Sequence, residues 1–584
     1  MSLIQDRYVN NFVSELISNG LKHVVISPGS RNTPLTLAFT NPNFSIKTWL
    51  HLDERSAAYF ALGMAREINS PVALVCTSGT AVANYLPAIV EANLSRIPLI
   101  VITADRPPVL RERGASQTIN QINIFGDHVK WFFDMPIVEN DGMDKFAKTT
   151  ATKAYVVSNN SPSGPVHINF PLSEPLIDDE TDTYTSNASE VDSFAHASDF
   201  FGGQSLGDLV KKISHKKGII IAGPGVKEHE DGEIVRLAKS FGWPVLADPL
   251  SNIRTGPNIY DGIIAHSDLA LRHIGFSDLA CPEVILRFGA VPVSKVLNQW
   301  LAQLPKALHV LFDEISSDTL DWRDPDSNST LFFRGELSWI CDQLIQLIPS
   351  DHTITSDWLN LWKNADQIIS ASITTWEAEN TETFEATPII KLAKLLHENS
   401  VLIAGNSMPI RDIDSFFPKL EKKIYIRGNR GAAGIDGVIS SAAGAAAVSS
   451  SPTTLLIGDL SFFHDQNGLW PIYAYDLDLT VILINNNGGG IFEFLPQKKL
   501  VGSRFEPFFG TPHNLDFSYT TQLFNGRHHL ISMEDFSQIF TKCQDNSGLD
   551  VIEIQTDRNR NVDLHQIVVE YVNLQLSNYF TDLG

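Results

Sequence analysis

Residues 458 to 490 read GDLSFFHDQNGLWPIYAYDLDLTVILINNNGGG. One apolar run, TTLLIGD (453 to 459), leads into this stretch, and a second, TVILINN (480 to 486), closes it. Short β-branched runs without polar alternation are typical of strands that helices cover on both faces, and the segment between them is long enough for one crossover helix. The stretch therefore predicts two neighbouring parallel strands of an α/β sheet.

The same pattern repeats along the chain. Comparable apolar runs are HVVIS (23 to 27), VALVCT (72 to 77), LIVIT (99 to 103), GIIIAGPG (218 to 225), WPVLADP (243 to 249), EVILRFGA (283 to 290), LHVLFDE (308 to 314), VLIAGN (401 to 406), KIYIRG (423 to 428) and DVIEIQ (550 to 555). Helix-length segments separate them, which predicts three doubly wound parallel-sheet α/β domains. We expect them at residues 1 to 185, 200 to 345 and 375 to 584. An acidic, Ser/Thr-rich linker is expected near 180 to 200, and a helical connection at 350 to 385.

Composition narrows the class of function. A chain of 584 residues with 43% hydrophobic and 19% charged residues is globular and long enough for three or four domains. With 44 Lys and Arg against 67 Asp and Glu, the net charge of −23 disfavours general binding to nucleic acid or to anionic membranes. The four scattered cysteines predict reduced, buried thiols. No apolar stretch is long enough for a secretory signal or a membrane span. The expectation is a cytoplasmic protein.

Two strand ends predict a metal site. Asp459 ends one apolar strand and Asn486 ends its neighbour, so both side chains are expected at the ligand-binding edge of the sheet. A carboxylate, an amide oxygen and a backbone carbonyl near Gly488 are hard oxygen ligands suited to Mg²⁺. The start of the following helix, with Gly458, Leu460 and Ser461, offers N–H groups to an anion. Each feature alone is also compatible with a helix cap or a flexible turn.

The GD pattern followed by NN at the end of the next strand resembles the thiamine diphosphate motif of the decarboxylase and transketolase superfamily. That resemblance implies a glutamate in the first domain that binds the cofactor's aminopyrimidine ring and promotes removal of the thiazolium C2 proton. Glu54, in HLDERSA (51 to 57), is the candidate for this catalytic, cofactor-binding role. Taken alone, Glu54 is also compatible with a plain helix-start acid. The superfamily resemblance further implies an active site at a dimer interface.

Further motifs are similar to one family within this superfamily. They are ISPGSRNTPL (26 to 35), HLDERSA, TSGTAVAN (77 to 84), TADRPP (103 to 108), GASQTI (114 to 119), GNSMPIRD (405 to 412), GNRGAAGIDG (428 to 437) and NNNGGGIFEFLP (485 to 496). The chain resembles the MenD family, the 2-succinyl-5-enolpyruvyl-6-hydroxy-3-cyclohexene-1-carboxylate synthases of menaquinone biosynthesis. The resemblance implies a homodimeric or homotetrameric transferase that uses Mg²⁺ or Mn²⁺. It would decarboxylate 2-oxoglutarate on thiamine diphosphate and add the succinyl carbanion equivalent to isochorismate.

The resemblance also implies substrate-binding residues, many of them basic because both substrates are dicarboxylates. These are Ser30, Arg31, Arg106, Gln117, Lys295, Ser407, Arg411, Arg430, Ile491, Phe492 and Leu495. Ile435 matches the apolar residue that holds the cofactor in its bent form. Structural ion pairs and ordinary core packing remain open as alternatives for these positions. Val296 follows Lys295 where some relatives carry a second basic residue, which leaves the contribution of the middle domain open.

Other functions remain possible from the sequence. The first is another thiamine diphosphate-dependent 2-oxoacid decarboxylase or an acetohydroxyacid synthase-like carboligase acting on pyruvate. A catalytically silent relative is a second, and a nicotinamide-dependent oxidoreductase a third, although GPGVKE (223 to 228) lacks the full GxGxxG pattern. The His528-His529 pair is predicted to lie in an exposed loop without a catalytic role.

Overall fold

A computed structural model describes residues 2–138, 143–177, 205–227, 230–304, 306–314, 323–325, 328–352 and 356–581. Across these residues the strands form three six-stranded sheets, and every strand pair with a described register is parallel. The predicted fold class is confirmed. The predicted linker near residues 180 to 200 lies outside the described residues. The predicted domain boundaries stay predictions.

The first sheet has the order β2-β1-β3-β4-β6-β5. Its strands are β1 (His23–Ile26), β2 (Lys47–Leu50), β3 (Val72–Cys76), β4 (Leu99–Asp105), β5 (Trp131–Asp134) and β6 (Val166–Pro171). The helices of this unit are α1 (Ser2–Ser18), α2 (Thr33–Phe39), α3 (Glu54–Ile68), α4 (Thr80–Asn84), α5 (Leu86–Ser95) and α6 (Asp144–Asn159). Strands β3 and β4 are buried along their whole length, as apolar central strands of a covered parallel sheet should be.

The middle sheet has the order β12-β11-β10-β7-β8-β9. Its strands are β7 (Gly218–Ala222), β8 (Val245–Ala247), β9 (Ile263–Ile264), β10 (Val284–Phe288), β11 (Leu308–Asp313) and β12 (Leu331–Arg334). The helices are α7 (Leu206–Ile213), α8 (Asp231–Phe241), α9 (Ser267–Leu271), α10 (Ile274–Leu279), α11 (Lys295–Ala302) and α12 (Leu337–Gln346). Helix α13 (Ser356–Glu379) follows as the expected helical connection.

The third sheet has the order β14-β13-β15-β16-β18-β17. Its strands are β13 (Val401–Ala404), β14 (Tyr425–Arg427), β15 (Thr453–Gly458), β16 (Leu479–Asn485), β17 (Arg527–Ile531) and β18 (Leu549–Gln555). The helices are α14 (Thr387–Leu395), α15 (Met408–Phe416), α16 (Val438–Val448), α17 (Asp459–His464), α18 (Trp470–Tyr475), α19 (Gln497–Leu500), α20 (Ser518–Leu523), α21 (Phe536–Gln544) and α22 (Arg558–Thr581). Strands β15 and β16 pair directly, as the opening stretch predicts.

Helices α3 and α16 join the first unit to the third. A Cβ added at Gly63 would lie 2.1 Å from the Ser441 carbonyl oxygen, and one at Gly444 would lie 2.1 Å from the Phe60 carbonyl oxygen. The backbones of the two helices therefore touch, and only glycine leaves room for this approach. Residues of both units share one hydrophobic core. The two units are thus held together by a closely packed helix pair.

Two predictions about side chains are wrong. His528 and His529 lie in strand β17, where their Nε2 atoms are 2.7 Å from a Glu553 oxygen and 2.8 Å from an Asp550 oxygen. Cys281 is exposed, whereas the other cysteines are buried.

Within the described part of the chain, no helix combines the length and the apolar character that crossing a membrane requires.

Candidate active site

A cavity of about 420 Å³ opens at the carboxyl ends of strands β13, β15 and β16. Ligands bind at this edge in open α/β sheets. The cavity brings together most of the predicted site residues of the third unit, namely Ser407, Arg411, Arg430, Ile435, Gly458, Asp459, Leu460, Ser461, Asn486, Gly488, Ile491 and Phe492.

The two predicted strand-end ligands face this cavity from neighbouring strands. Asp459 begins α17 directly after β15 and is 1% exposed. One of its oxygens accepts a hydrogen bond from the Gly488 amide at 2.9 Å and lies 3.1 Å from His513 Nε2. Burial raises the pKa of Asp459. Hydrogen bonds from Gly488 and His513 favour the ionised form and offset part of this rise. A nearby cation would relieve this cost of burying a carboxylate.

Asn486 supplies an oxygen that nothing in the described chain binds. Its Nδ2 donates to Glu385 Oε1 at 3.1 Å, while its Oδ1 is buried without a hydrogen-bond partner among the described residues. The Gly488 carbonyl accepts from the Gly490 amide at 3.0 Å and retains a second lone pair. An orphaned amide oxygen beside a buried carboxylate and a backbone carbonyl fits a hard divalent cation.

The start of α17 and the loop that carries Ile435 also line this cavity. A Cβ added at Gly458 would meet no atom within 4 Å, so the backbone there stands open. Ser461 Oγ donates to the Ile435 carbonyl at 2.8 Å, which fixes the loop before α16. Ile435 itself remains 40% exposed although it is apolar. An apolar side chain held out toward a cavity fits a residue that supports a bound ring.

Two arginines line another part of the wall. Arg411, in α15, donates to the Ser407 carbonyl, and Arg430 Nη1 donates to Asn406 Oδ1 at 2.9 Å. Burial lowers the pKa of Arg411, and the nearby Arg430 lowers it further. Two partly buried cations that line one cavity favour an anionic ligand there.

Neighbouring units hold these arginines in place. Glu91 of the first unit is 1% exposed and accepts from the Gly431 amide at 2.9 Å and the Ala432 amide at 2.7 Å, beside Arg430. Arg254 of the middle unit is also 1% exposed and donates to Asp414 Oδ1 in α15 at 2.7 Å. The cation-bearing wall is therefore fixed from two sides.

Two of the three apolar residues that are predicted to bind substrate, Ile491, Phe492 and Leu495, form an apolar wall of the cavity. Ile491 and Phe492 line the cavity, and the Phe492 ring contacts the Phe509 ring edge-on with centroids 5.6 Å apart. Leu495 follows at the end of this segment but is not among the residues lining the cavity. The wall thus consists of Ile491 and Phe492.

The predicted residues of the first unit do not line this cavity. Ser30 and Arg31 follow β1, Arg106 follows β4, and the exposed Gln117 adopts a left-handed φ of 52° beside Gly79. Arg31 donates to Glu174 Oε1 at 2.8 Å, and Arg106 lies 4.0 Å from the same oxygen. None of these residues lines the third-unit cavity of its own chain.

Glu54 also lies outside that cavity. It begins α3 directly after Asp53, whose side chain accepts from the Arg55 and Ser56 amides as the helix cap. Burial raises the pKa of Glu54, and the charge of Asp53 raises it further. Asp53 also accepts from Asn467 Nδ2 at 2.8 Å, while Glu54 stands in the first turn of α3, where the alternative interpretation as a helix-start acid also places it.

Lys295 is the remaining predicted residue. It is exposed at the first position of α11 in the middle unit and does not line the cavity. Val296 packs partly against the hydrophobic core of that unit. Val296, where some relatives carry a basic residue, is therefore accommodated by apolar packing.

Sequence reasoning missed several polar residues of the site. Glu385, Asn406 and Asp412 line the cavity, and His513 contacts Asp459. Asn406 and Asp412 lie inside the quoted GNSMPIRD motif, which could have pointed to them. Glu385 and His513 stand in no recognised motif. Burial raises the pKa of Glu385 to about 7, although the hydrogen bond from Thr556 acts to lower it.

Comparisons with protein families agree with this arrangement. The N-terminal TPP binding domain of thiamine pyrophosphate enzymes matches residues 7–124, the middle domain matches 205–403, and the C-terminal TPP binding domain matches 415–554. Among solved structures, a 4-hydroxybenzoylformate decarboxylase of Rhodococcus jostii matches with a TM-score of 0.68 at 16% identity, over 94% of this chain and 99% of that one. A benzoylformate decarboxylase of Polynucleobacter necessarius matches with a TM-score of 0.70 at 16% identity, over 94% and 98%.

Relatives with much higher identity carry one name, 2-succinyl-5-enolpyruvyl-6-hydroxy-3-cyclohexene-1-carboxylate synthase. The protein of Listeria welshimeri is 42% identical over 96% of both chains. That of Geobacillus thermodenitrificans is 40% identical over 99% of this chain and 98% of its own, and that of Chloroflexus aurantiacus is 40% identical over 98% and 97%. The chain therefore belongs to the MenD family and is a thiamine diphosphate-dependent transferase of menaquinone biosynthesis.

Proposed function

We propose that the chain decarboxylates 2-oxoglutarate and joins the succinyl unit to isochorismate, giving 2-succinyl-5-enolpyruvyl-6-hydroxy-3-cyclohexene-1-carboxylate and CO₂. The observation that carries this proposal is one cavity with an oxygen set at Asp459, Asn486 and Gly488 and a cationic wall at Arg411 and Arg430. The oxygen set suits a metal-bound diphosphate, and the cations suit carboxylate substrates. The names of the relatives supply the product.

Each part of the cavity has a role in this proposal. Asp459, Asn486 and Gly488 bind Mg²⁺ or Mn²⁺, and the backbone around Gly458, Leu460 and Ser461 receives the diphosphate. Ile435 supports the cofactor from below. When bound, thiamine diphosphate supplies the electron sink for decarboxylation. The protein orients the reactants and excludes water.

The arginines select the substrates. Arg411 and Arg430, with Ser407, bind carboxylate groups of 2-oxoglutarate or isochorismate within the cavity. Guanidinium groups bind carboxylates through two parallel hydrogen bonds, and burial lowers the pKa of both arginines, a cost that calls for compensation by an anion. A dicarboxylate bound between them would provide that compensation.

The catalytic Glu54 and the remaining substrate-binding residues come from a second copy of the chain in this proposal. Glu54, Ser30, Arg31, Arg106 and Gln117 lie at the carboxyl end of the first sheet, outside the cavity of their own chain. A homodimer, alone or within a homotetramer, would bring this edge to the cavity of the partner. Lys295 would approach from the middle unit. We further propose that the assembly works in the cytoplasm.

Product analysis tests the reaction. Purified protein with thiamine diphosphate, Mg²⁺, 2-oxoglutarate and isochorismate should yield the succinylated product and CO₂, as detected by mass spectrometry. Omitting isochorismate should abolish the product, and pyruvate should not replace 2-oxoglutarate because it lacks the second carboxylate. Efficient conversion of pyruvate would instead favour an acetohydroxyacid synthase-like carboligase or a simple 2-oxoacid decarboxylase.

Phe492 offers a test of the apolar wall. Decarboxylation reduces the charge at the reacting centre, so an apolar surface favours this step over substrate capture. Phe492→Asn should therefore slow single-turnover decarboxylation of 2-oxoglutarate by about tenfold or more, with a smaller effect on KM. Phe508→Asn is the matched control, because Phe508 is 72% exposed and does not line the cavity. Unchanged single-turnover decarboxylation in Phe492→Asn would remove the wall from the mechanism.

A further inference from the structure

Two consecutive asparagines at the end of β16 bind buried glutamates in the same way. Asn485 Nδ2 donates to Glu553 Oε1 at 2.7 Å, and Asn486 Nδ2 donates to Glu385 Oε1 at 3.1 Å. Both glutamates are 3% exposed. The two pairs differ at the amide oxygen. Asn485 Oδ1 accepts from the Asn487 amide at 3.1 Å, whereas Asn486 Oδ1 is buried without a partner in the described chain.

Glu385 is itself held firmly. It lies between α13 and α14, and its Oε1 also accepts from Thr556 Oγ1 at 2.8 Å. The Glu385 backbone amide donates to Asn561 Oδ1 at 3.3 Å, and the Thr556 amide donates to the Asn485 carbonyl at 3.0 Å. The Glu385 carboxylate is therefore anchored to the ends of two neighbouring strands, and its backbone amide is anchored to helix α22.

This arrangement selects one orientation of the Asn486 amide. The NH₂ and C=O ends of an amide have nearly the same shape, but Glu385 Oε1, which also accepts from Thr556 Oγ1, presents an acceptor to Asn486. With Nδ2 bound to Glu385, Oδ1 must occupy the opposite end of the amide. The reverse orientation would place Oδ1 against the carboxylate and a donor where a cation needs an acceptor.

We propose that Glu385, fixed by Thr556, is a positioning residue that holds the Asn486 oxygen toward the metal ion. This inference rests on the proposed function, in which Asn486 is a metal ligand. Partners that orient a metal ligand in this way typically change metal affinity by about 10- to 100-fold when they are removed. Glu385 thus acts on the metal through Asn486.

Metal affinity provides the test. Mg²⁺ is titrated into the metal-free protein with excess thiamine diphosphate, and binding is followed by calorimetry. We expect Glu385→Gln to weaken Mg²⁺ binding by about tenfold, because a glutamine no longer enforces one amide orientation. Glu553→Gln is the matched control, since the same change beside Asn485 should leave Mg²⁺ affinity within about twofold of the wild type. Thr556→Val, which removes only the anchor of Glu385, should weaken binding in the same direction.

A double variant separates positioning from a general structural effect. Glu385→Gln should cause no further loss of Mg²⁺ affinity once Asn486 is already replaced by Ala, because the oriented group is gone. Wild-type affinity in Glu385→Gln, or an equal loss in the Asn486→Ala background, would overturn the inference. If the wild type itself binds no Mg²⁺ in the presence of thiamine diphosphate, the proposed function falls together with the inference.

Discussion

Glu54→Gln is expected to lower turnover by about 10²- to 10⁴-fold while the protein still binds thiamine diphosphate and Mg²⁺. The expected loss follows from the role of the Glu54 carboxyl group, which would exchange a proton with N1′ of the aminopyrimidine ring in the proposed mechanism. A glutamine has the same size but cannot take up that proton. Burial already raises the pKa of Glu54, which suits a group that must exchange protons near neutral pH.

The measurement is turnover by product formation, with cofactor binding followed by calorimetry in the same variant. Asp144→Asn makes the same change of charge at a side chain of the first unit that is 41% exposed and pairs with Arg7, and it should keep wild-type turnover. Near-normal turnover in Glu54→Gln would remove Glu54 from the mechanism. Loss of cofactor binding together with turnover would indicate a binding role instead.

Asp459→Asn should weaken Mg²⁺-dependent binding of thiamine diphosphate by more than about 100-fold, since it removes the only charged ligand of the proposed metal site. Asp459 is nearly inaccessible to water, so little solvent is available to replace the lost carboxylate. Binding is measured by titrating the cofactor at fixed Mg²⁺. Asp476→Asn is the matched control, because Asp476 is exposed and its left-handed backbone suits asparagine. Wild-type binding in Asp459→Asn would exclude a metal role for Asp459.

Mixing these two variants tests the proposed interface. If Glu54 of one chain serves Asp459 of another, a heterodimer of Glu54→Gln and Asp459→Asn contains one intact site. Random mixing should then recover about a quarter of wild-type activity, because half of the dimers are mixed and each has one of two sites intact. No recovery after verified subunit exchange would indicate that both residues must act within one chain.

The sequence predicts best those elements whose surroundings are uniform. Strands β3, β4, β15 and β16 are mostly apolar and buried because helices cover both faces of the sheet. Such strands can be recognised from the sequence without knowledge of the fold. Edge strands such as β17 have one free side and carry polar residues. His528 and His529 belong to such a strand and are paired with carboxylates on β18, a contact that no local pattern reveals.

The residues of the site also differ in how far the sequence predicts them. Asp459 and Asn486 were predictable because a parallel sheet brings the carboxyl ends of its strands together, which makes their meeting a consequence of topology. Glu385 reaches Asn486 from 101 positions away, through a connection whose course only the folded chain defines. The predicted approach of Glu54 to the cavity would need a second chain, whose position does not follow from the topology of a single chain.

The glycine contact between α3 and α16 has a consequence for protein engineering. The helix that starts at Glu54 is pressed against the one that follows the Ile435 loop, with Gly63 and Gly444 as the points of closest approach. Chimeras assembled from different relatives must inherit both helices from compatible parents, because a methyl group on either side would wedge the halves apart. Recombination libraries should therefore treat residues 54 to 68 and 438 to 448 as one exchangeable block.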